Sequence, residues 1–185
     1  RTMKKTFLKN KKNIQFLIVG LGLIGGSVAR RLSKNGFEVL AIDKNKSHLN
    51  YAKKSKIIVG SPEKIDDKKK LFVIIALPPK ILHDSFSNYL DFFHKADFIT
   101  DCTSVKGSLL NKIRKNKLES KFILSHPIAG SEKSGFLNSS EDLFRDKISI
   151  ISKHKGLAIS TLQKCKEFWF ELGSKTHNLD SKLHD

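Results

Sequence analysis

A glycine turn set between a short apolar run and a helix-period segment constrains this chain more than any other feature. Ile14 to Val19 is largely apolar, ends in glycine, and predicts a buried first strand. Gly20-x-Gly22-x-x-Gly25 follows at once, and Leu23 to Lys34 carries a helical pattern stopped by Asn35-Gly36. In a strand–turn–helix unit the three glycines have separate roles. The first permits a tight turn, the second lets a pyrophosphate approach the backbone, and the third lets the helix pack close to the sheet. Gly20, Gly22 and Gly25, with Leu23 and Ile24 in the first helical turn, are therefore candidate cofactor-binding residues. The phosphates would rest on the free N–H groups at the helix start. Asp43 lies 18 residues beyond Gly25 at the end of a second predicted strand, Glu38 to Ile42. A carboxylate there accepts bonds from the adenosine ribose hydroxyls and repels a 2′-phosphate, which favours NAD over NADP. Lys44 and Lys46 next to it soften that discrimination.

Strand and helix patterns alternate along the rest of the chain. Ser47 to Lys54 reads as a helix, Ile57 to Val59 as a weak strand, and Leu71 to Leu77 as a central strand halted by Pro78-Pro79. Ile81 to Phe93 reads as a helix, Phe98 to Thr100 as a strand running into Asp101, and Ser108 to Lys115 as a helix. Lys121 to Leu124 reads as a sixth strand that delivers Ser125-His126-Pro127. Strands at Lys147 to Ile151 and Lys175 to His177 bracket a helix from about Leu157 to Leu172. The pattern predicts an α/β fold with a doubly wound, mostly parallel sheet of Rossmann type. In such folds ligands bind beyond the carboxyl ends of the strands. Gly20, Asp43, Pro78, Asp101 and His126 all fall just after predicted strands. Leu77 and Pro78, ending the central strand, are candidates for the nicotinamide-ribose side of the site.

The chain carries 35 Lys and Arg against 18 Asp and Glu, a net charge of +17. Its only arginines are Arg1, Arg30, Arg31, Arg114 and Arg145, whereas base reading and bidentate phosphate clamps favour arginine. No nucleic-acid module is present, so the lysines read as a solvated surface that attracts anionic cofactors and substrates. No apolar run is long enough for a membrane span. Cys102 and Cys165 have no metal or redox spacing and fit a reducing, cytoplasmic setting.

Two further motifs carry the chemistry. Asp101-Cys102-Thr103-Ser104-Val105-Lys106 offers a hydroxyl and an amine at a strand end, and His126-Pro127-Ile128-Ala129-Gly130-Ser131-Glu132-Lys133-Ser134-Gly135 offers an imidazole and a carboxylate. With the GLGLIGGS loop, these resemble the N-terminal domains of the prephenate and arogenate dehydrogenases of tyrosine biosynthesis, the TyrA family. The likeness runs from about Ile14 to Asp185. The resemblance implies NAD-dependent oxidative decarboxylation of a cyclohexadiene bearing a ring hydroxyl, giving 4-hydroxyphenylpyruvate from prephenate. It implies that His126 takes the hydroxyl proton and that Ser104 orients both groups and lies at the cofactor. It places Glu132 and Ser131 at the pocket entrance in a gating or substrate-binding part. Lys106 would steer the anionic substrate or be an ordinary surface lysine.

Full-length members of the family continue into a helical domain that dimerises and supplies a carboxylate-binding arginine. The chain is therefore expected to comprise a disordered basic lead-in at 1–12, an NAD-binding domain at 13–180, and the start of a truncated helical domain at 181–185. On that reading the isolated piece is inactive, and a homodimer belongs to the full-length protein. Alternatives are arogenate dehydrogenase, another NAD(P)-dependent oxidoreductase such as a 3-hydroxyacid dehydrogenase or imine reductase, and a non-catalytic nucleotide-binding module. His48, His83, His94, His154 and His177 share no ligand spacing, so they are read as surface residues and no metal site is expected. Cys102 reads as a small buried residue. Trp169, between Phe168 and Phe170, reads as helix packing.

Overall fold

The computed structural model describes residues 3–103 and 106–179. Seven strands form one sheet: β1 (Ile14–Val19), β2 (Glu38–Ile42), β3 (Lys70–Ile75), β4 (Phe98–Asp101), β5 (Phe122–Pro127), β6 (Ile148–Ser152) and β7 (Lys175–Leu179). Their spatial order is β2-β1-β3-β4-β5-β6-β7. Strands β1 to β5 are mutually parallel, each joined to the next by a crossover. The crossovers carry α1 (Leu23–Lys34), α2 (Lys46–Lys54), α3 (Pro79–Ser85), α4 (Leu90–Lys95) and α5 (Lys106–Lys115). After β5 no helix crosses back: the chain turns along the carboxyl edge through a 3-10 turn at Phe136–Asn138 and re-enters the sheet as β6, antiparallel to β5. A parallel partner would need a crossover of a dozen or more residues to the other edge. α6 (Ile159–Glu171) provides one, so β7 runs parallel to β6.

Side-chain alternation along the strands builds two cores. Phe16, Ile18, Phe72, Ile74, Phe98 and Ile123 pack with Val28, Ala29 and Leu32 of α1 and Cys165, Phe168 and Trp169 of α6. Leu17, Val19, Val73, Ile75, Ile99 and Leu124 pack on the other face with Leu82, Phe93, Leu109 and Ile113. Helices on both faces of a mostly parallel sheet make the doubly wound architecture expected from the alternation.

Four expectations need correction. Ile57 to Val59 forms no strand, because Lys56 in a left-handed conformation (φ 59°) and the turn beginning at Ser61 leave one bridging pair, Leu40 with Gly60. The helix expected over Ile81 to Phe93 is broken by a 3-10 segment at Phe86–Tyr89. There the Ser85 hydroxyl donates to the Ile81 carbonyl, a local bond that competes with the helical ladder. The lead-in expected to be disordered is packed where it is described: Leu8 is fully buried, and the N–H groups of Thr6, Phe7 and Leu8 all donate to Glu167 Oε1, at 2.7, 2.8 and 3.2 Å. Lys5 pairs with Glu171 beside it. His154, expected at the surface, is buried, with Nε2 2.6 Å from the carbonyl oxygen of Phe122. The expected helical-domain start at 181–185 lies outside the described residues.

Candidate active site

β1 connects to β2 on one side while β3 returns on its other side, so the carboxyl ends of β1 and β3 flank the point where the winding reverses. Such points form crevices that take ligands. Here a cavity of about 340 Å³ is lined by Gly20, Gly22, Asp43, Ala76, Leu77 and Pro78 among others.

The three glycines differ in what encloses them. Gly20 has φ +101°, and a Cβ there would stand 2.6 Å from the Ala76 carbonyl oxygen at the end of β3. A Cβ on Gly25 would fall 1.7 Å from the Gly20 oxygen. These two are needed for the turn to close against sheet and helix. A Cβ on Gly22 would meet nothing within 4 Å. Gly22 is the N-cap of α1, and among the described residues no side chain caps the helix's first amides. Uncapped N–H groups beside open space and a glycine suit a pyrophosphate, so the residues present fit a dinucleotide. Leu23 and Ile24 supply that first turn, with Ile24 also packing on the core.

Asp43 holds this arrangement together as well as facing it. Its Oδ2 accepts the Leu21 N–H at 2.7 Å and its Oδ1 accepts the Asn45 N–H at 2.7 Å. Each oxygen keeps a further lone pair for a ligand hydroxyl. Asn45 in turn caps α2 by accepting the His48 N–H through its side chain.

His126 stands exposed on β5, two strands along the same edge from β3. Its neighbours Ser125 and Pro127 are buried, so strand alternation turns His126 to the opposite face, the one that carries Leu124. β5 therefore extends through His126 rather than stopping before it. Ser131 and Glu132 are exposed in the connection after β5, with Ser131 Oγ accepting the Lys133 N–H at 3.2 Å; neither lines the cavity. Ser104 lies outside the described residues, and Lys106 is the first residue of α5. Thr103, just before, donates its hydroxyl to the Leu77 carbonyl and joins the ends of β3 and β4. Cys102 is buried, and burial first, then Asp101 and Cys165, push its thiol well above the ordinary range, which leaves it an inert core residue.

Several cavity residues were not anticipated. His48, Ile81, Tyr89, Gly135 and Phe136 line it as well. The Phe136 ring is buried, 5.1 Å from the His48 ring and 5.1 Å from the Arg30 guanidinium. Arg30 Nε donates to Ser139 Oγ at 2.7 Å and the Ser140 N–H to Ser27 Oγ at 2.9 Å. Phe136 directly follows the Gly135 that ends the histidine motif, and that adjacency was the available signal. A larger hollow of about 660 Å³ opens at the amino ends of β1 and β3, lined by Phe7, Lys9, Lys70, Asp97 and Lys164 among others, and holds none of the motif residues.

Known proteins match this arrangement. Residues 28–178 match the family model for the prephenate dehydrogenase nucleotide-binding domain. The prephenate dehydrogenase of Lactococcus lactis is 31% identical over 179 residues, which span 92% of this chain and 48% of that enzyme. The chain thus spans about half the length of that relative. Among solved structures, Aquifex aeolicus prephenate dehydrogenase in complex with hydroxyphenyl propionate and NAD+ superposes with a TM-score of 0.78 at 28% identity, covering 97% of this chain and 63% of that one. Synechocystis arogenate dehydrogenase shares the fold, with a TM-score of 0.76 at 21% identity and coverage of 92% and 61%. With that family model matching residues 28–178, most of the chain, the chain belongs to the prephenate dehydrogenase nucleotide-binding domain family.

Proposed function

We propose that this chain is the cofactor-binding part of an NAD-dependent dehydrogenase that oxidises a cyclohexadiene carboxylate of the prephenate type to a phenol with loss of carbon dioxide. One observation carries the reading: an uncapped helix start with an open glycine and an exposed histidine share one sheet edge in a member of this family. β5 stands three strand spacings from β1, about 14 Å. The helix start that would hold a pyrophosphate and the imidazole of His126 therefore lie along one edge of the sheet.

Bound NAD supplies the hydride acceptor. Gly22 and the first amides of α1 would hold its phosphates, and Asp43 would accept hydrogen bonds from its ribose hydroxyls. His126 takes the proton from the ring hydroxyl as the carbon beneath it loses hydride and becomes a carbonyl. The ring carbon–carboxylate bond then breaks, carbon dioxide leaves, and its electron pair restores aromaticity. His126 returns the proton to the resulting phenolate, so protons and electrons balance. An imidazole suits this exchange because one ring nitrogen can take the proton and give it back. Ser104 orients the hydroxyl and the imidazole, and Ser131, Glu132 and Lys106 serve the entrance for an anionic substrate. The remaining part of a full-length relative, a helical dimerisation domain, closes the pocket, so this chain alone binds NAD and turns over little.

The test is His126→Asn in the full gene product, assayed with prephenate and with arogenate. Loss of a general base costs about 10² to 10⁴ in rate. kcat should fall by that order while NAD affinity holds and the acidic limb of the pH–rate profile disappears. A variant that keeps the limb and most of its rate would make His126 structural. Cofactor binding without turnover of either substrate by the unmutated product would favour a non-catalytic module.

A further inference from the structure

Ser125 sits beside His126 but faces the opposite side of the sheet. β4 ends at Asp101, opposite Leu124, so Ser125, His126 and Pro127 continue with β6 as their one neighbour among the described strands. The end of β5 that carries the imidazole is thus paired along one side and needs support from a face. Behind it lies a buried polar cluster. Ser125 Oγ is 2.7 Å from Thr100 Oγ1, 3.0 Å from Trp169 Nε1 and 3.3 Å from Cys165 Sγ, and Thr100 Oγ1 is 2.8 Å from the Ile123 carbonyl oxygen. Thr100 and Trp169 are fully buried and Ser125 nearly so.

Donor counting leaves one arrangement of hydrogens. The indole N–H can only donate, so Trp169 donates to Ser125. The single proton of Thr100 goes to the Ile123 carbonyl, so Ser125 must donate to Thr100. Its proton spent, Ser125 accepts from the Cys165 thiol. That thiol keeps its proton, because burial pushes it up to about 12. Ser125 Oγ therefore donates once and accepts twice, which exhausts a hydroxyl. The chain Trp169 to Ser125 to Thr100 to Ile123 ties α6, β5 and β4 together directly behind His126, and a saturated buried network of this kind rigidifies what it joins.

We propose that Ser125 is a positioning residue for His126: its hydroxyl, as the middle link of the Trp169–Ser125–Thr100 chain, fixes the one-sided end of β5 and thereby aims the imidazole at the reacting hydroxyl. The aim rests on the proposed reaction; the fixing does not. Ser125→Ala leaves the strand its backbone pairing but removes the tie. A misplacement of about 1 Å at a reacting group can cost about 10²-fold in rate.

Three variants test this. In this chain, NMR of the His126 ring follows its titration and line width; in the full gene product, kcat and KM are measured. Ser125→Ala should shift and broaden the His126 ring signals and lower kcat up to about 10²-fold, with KM for NAD unchanged. Thr100→Val, nearly isosteric, breaks the same chain from its far end and should act in the same direction, which covers failure of Ser125→Ala to fold. Cys165→Ala loses stability behind the same strand while leaving the Trp169–Ser125–Thr100 chain intact, so ring signals and kcat should stay as they were. Ring signals in Ser125→Ala or Thr100→Val no more altered than in Cys165→Ala would overturn the proposal and leave the reaction standing. Altered ring signals in a protein that never oxidises prephenate would instead sink the reaction and keep the positioning.

Discussion

Asp43 and Leu21 are joined across the mouth of the cofactor cleft by a 2.7 Å bond from the Leu21 N–H to Oδ2. The carboxylate that would select the ribose thus also holds the glycine turn. NAD should bind more tightly than NADP, because a 2′-phosphate would face that carboxylate. Asp43→Ser should narrow or invert the preference and also weaken NAD, since the turn loses an anchor. Asp43→Asn removes the charge but keeps one carbonyl acceptor, and should weaken NAD less. Titration calorimetry with both cofactors checks this, and equal affinities in the unmutated protein would refute the role of Asp43.

Gly22 and Gly25 should respond in opposite ways to the same added methyl. Gly22→Ala meets open space and should leave the free energy of unfolding within about 0.5 kcal/mol of the parent, yet weaken NAD by crowding the phosphate. Gly25→Ala drives a Cβ into the Gly20 carbonyl and should lose folded protein before binding can be measured. Urea melts beside calorimetry separate the two, and a Gly22→Ala protein with full NAD affinity would remove the phosphate from that turn.

Glu167 gathers three successive amides onto one oxygen in a fully buried position. Hydrogen bonds to a charged acceptor are worth about 1.5–3 kcal/mol each when a partner is removed. Because they share one oxygen and two are half exposed, Glu167→Ala should cost about 3 kcal/mol, and Glu167→Gln less, since its carbonyl still accepts. Limited proteolysis should then cut residues 3–10 first. An unchanged melt with an uncut segment would mean the contact is incidental.

Alkaline pH should destabilise the domain through Cys165. Its folded pKa is raised to about 12 from 9.0, so the folded state keeps a proton that the unfolded state releases. The contribution is fully present below pH 9 and is lost as pH rises toward 12. Cys165→Ser keeps a buried donor that does not titrate there, so its stability should fall less steeply between pH 8.5 and 10.5 (both about) than the parent's. Parallel slopes would show that the thiol is not protected.

The elements flanked by glycine could be read directly. Leu23–Lys34 is bounded by Gly22 and by Asn35-Gly36, and the helix begins and ends there. β1 and β2 are equally plain, because buried parallel strands are short apolar runs. Hydropathy ends β5 at Leu124 because Ser125 and His126 are polar, and a strand with one buried hydroxyl and one exposed imidazole looks like a loop to any rule based on hydropathy. The lysines before Asn13 hid a packed segment for a related reason. What holds that segment is its backbone, and its acceptor, Glu167, is 161 residues from Thr6. No local pattern records such a partner. In the candidate site, the glycine turn, Asp43, Leu77 and Pro78 could be named from motif and register, whereas His48, Tyr89 and Phe136 enter the cavity through packing between segments distant in sequence.

The Glu167 contact also sets a schedule. On a ribosome adding roughly 5–20 residues per second, Thr6 emerges about 8–30 s before Glu167 does. Through that interval β1 can pair with β2 and β3, but the amides of Thr6, Phe7 and Leu8 have only water to bond, and Phe16 and Phe98 still lack the Phe168 ring they pack against. Completion of this packing is therefore tied to the synthesis of α6. A chain arrested before α6 would expose the aromatic face that α6 covers, and would meet chaperones and proteases in that form.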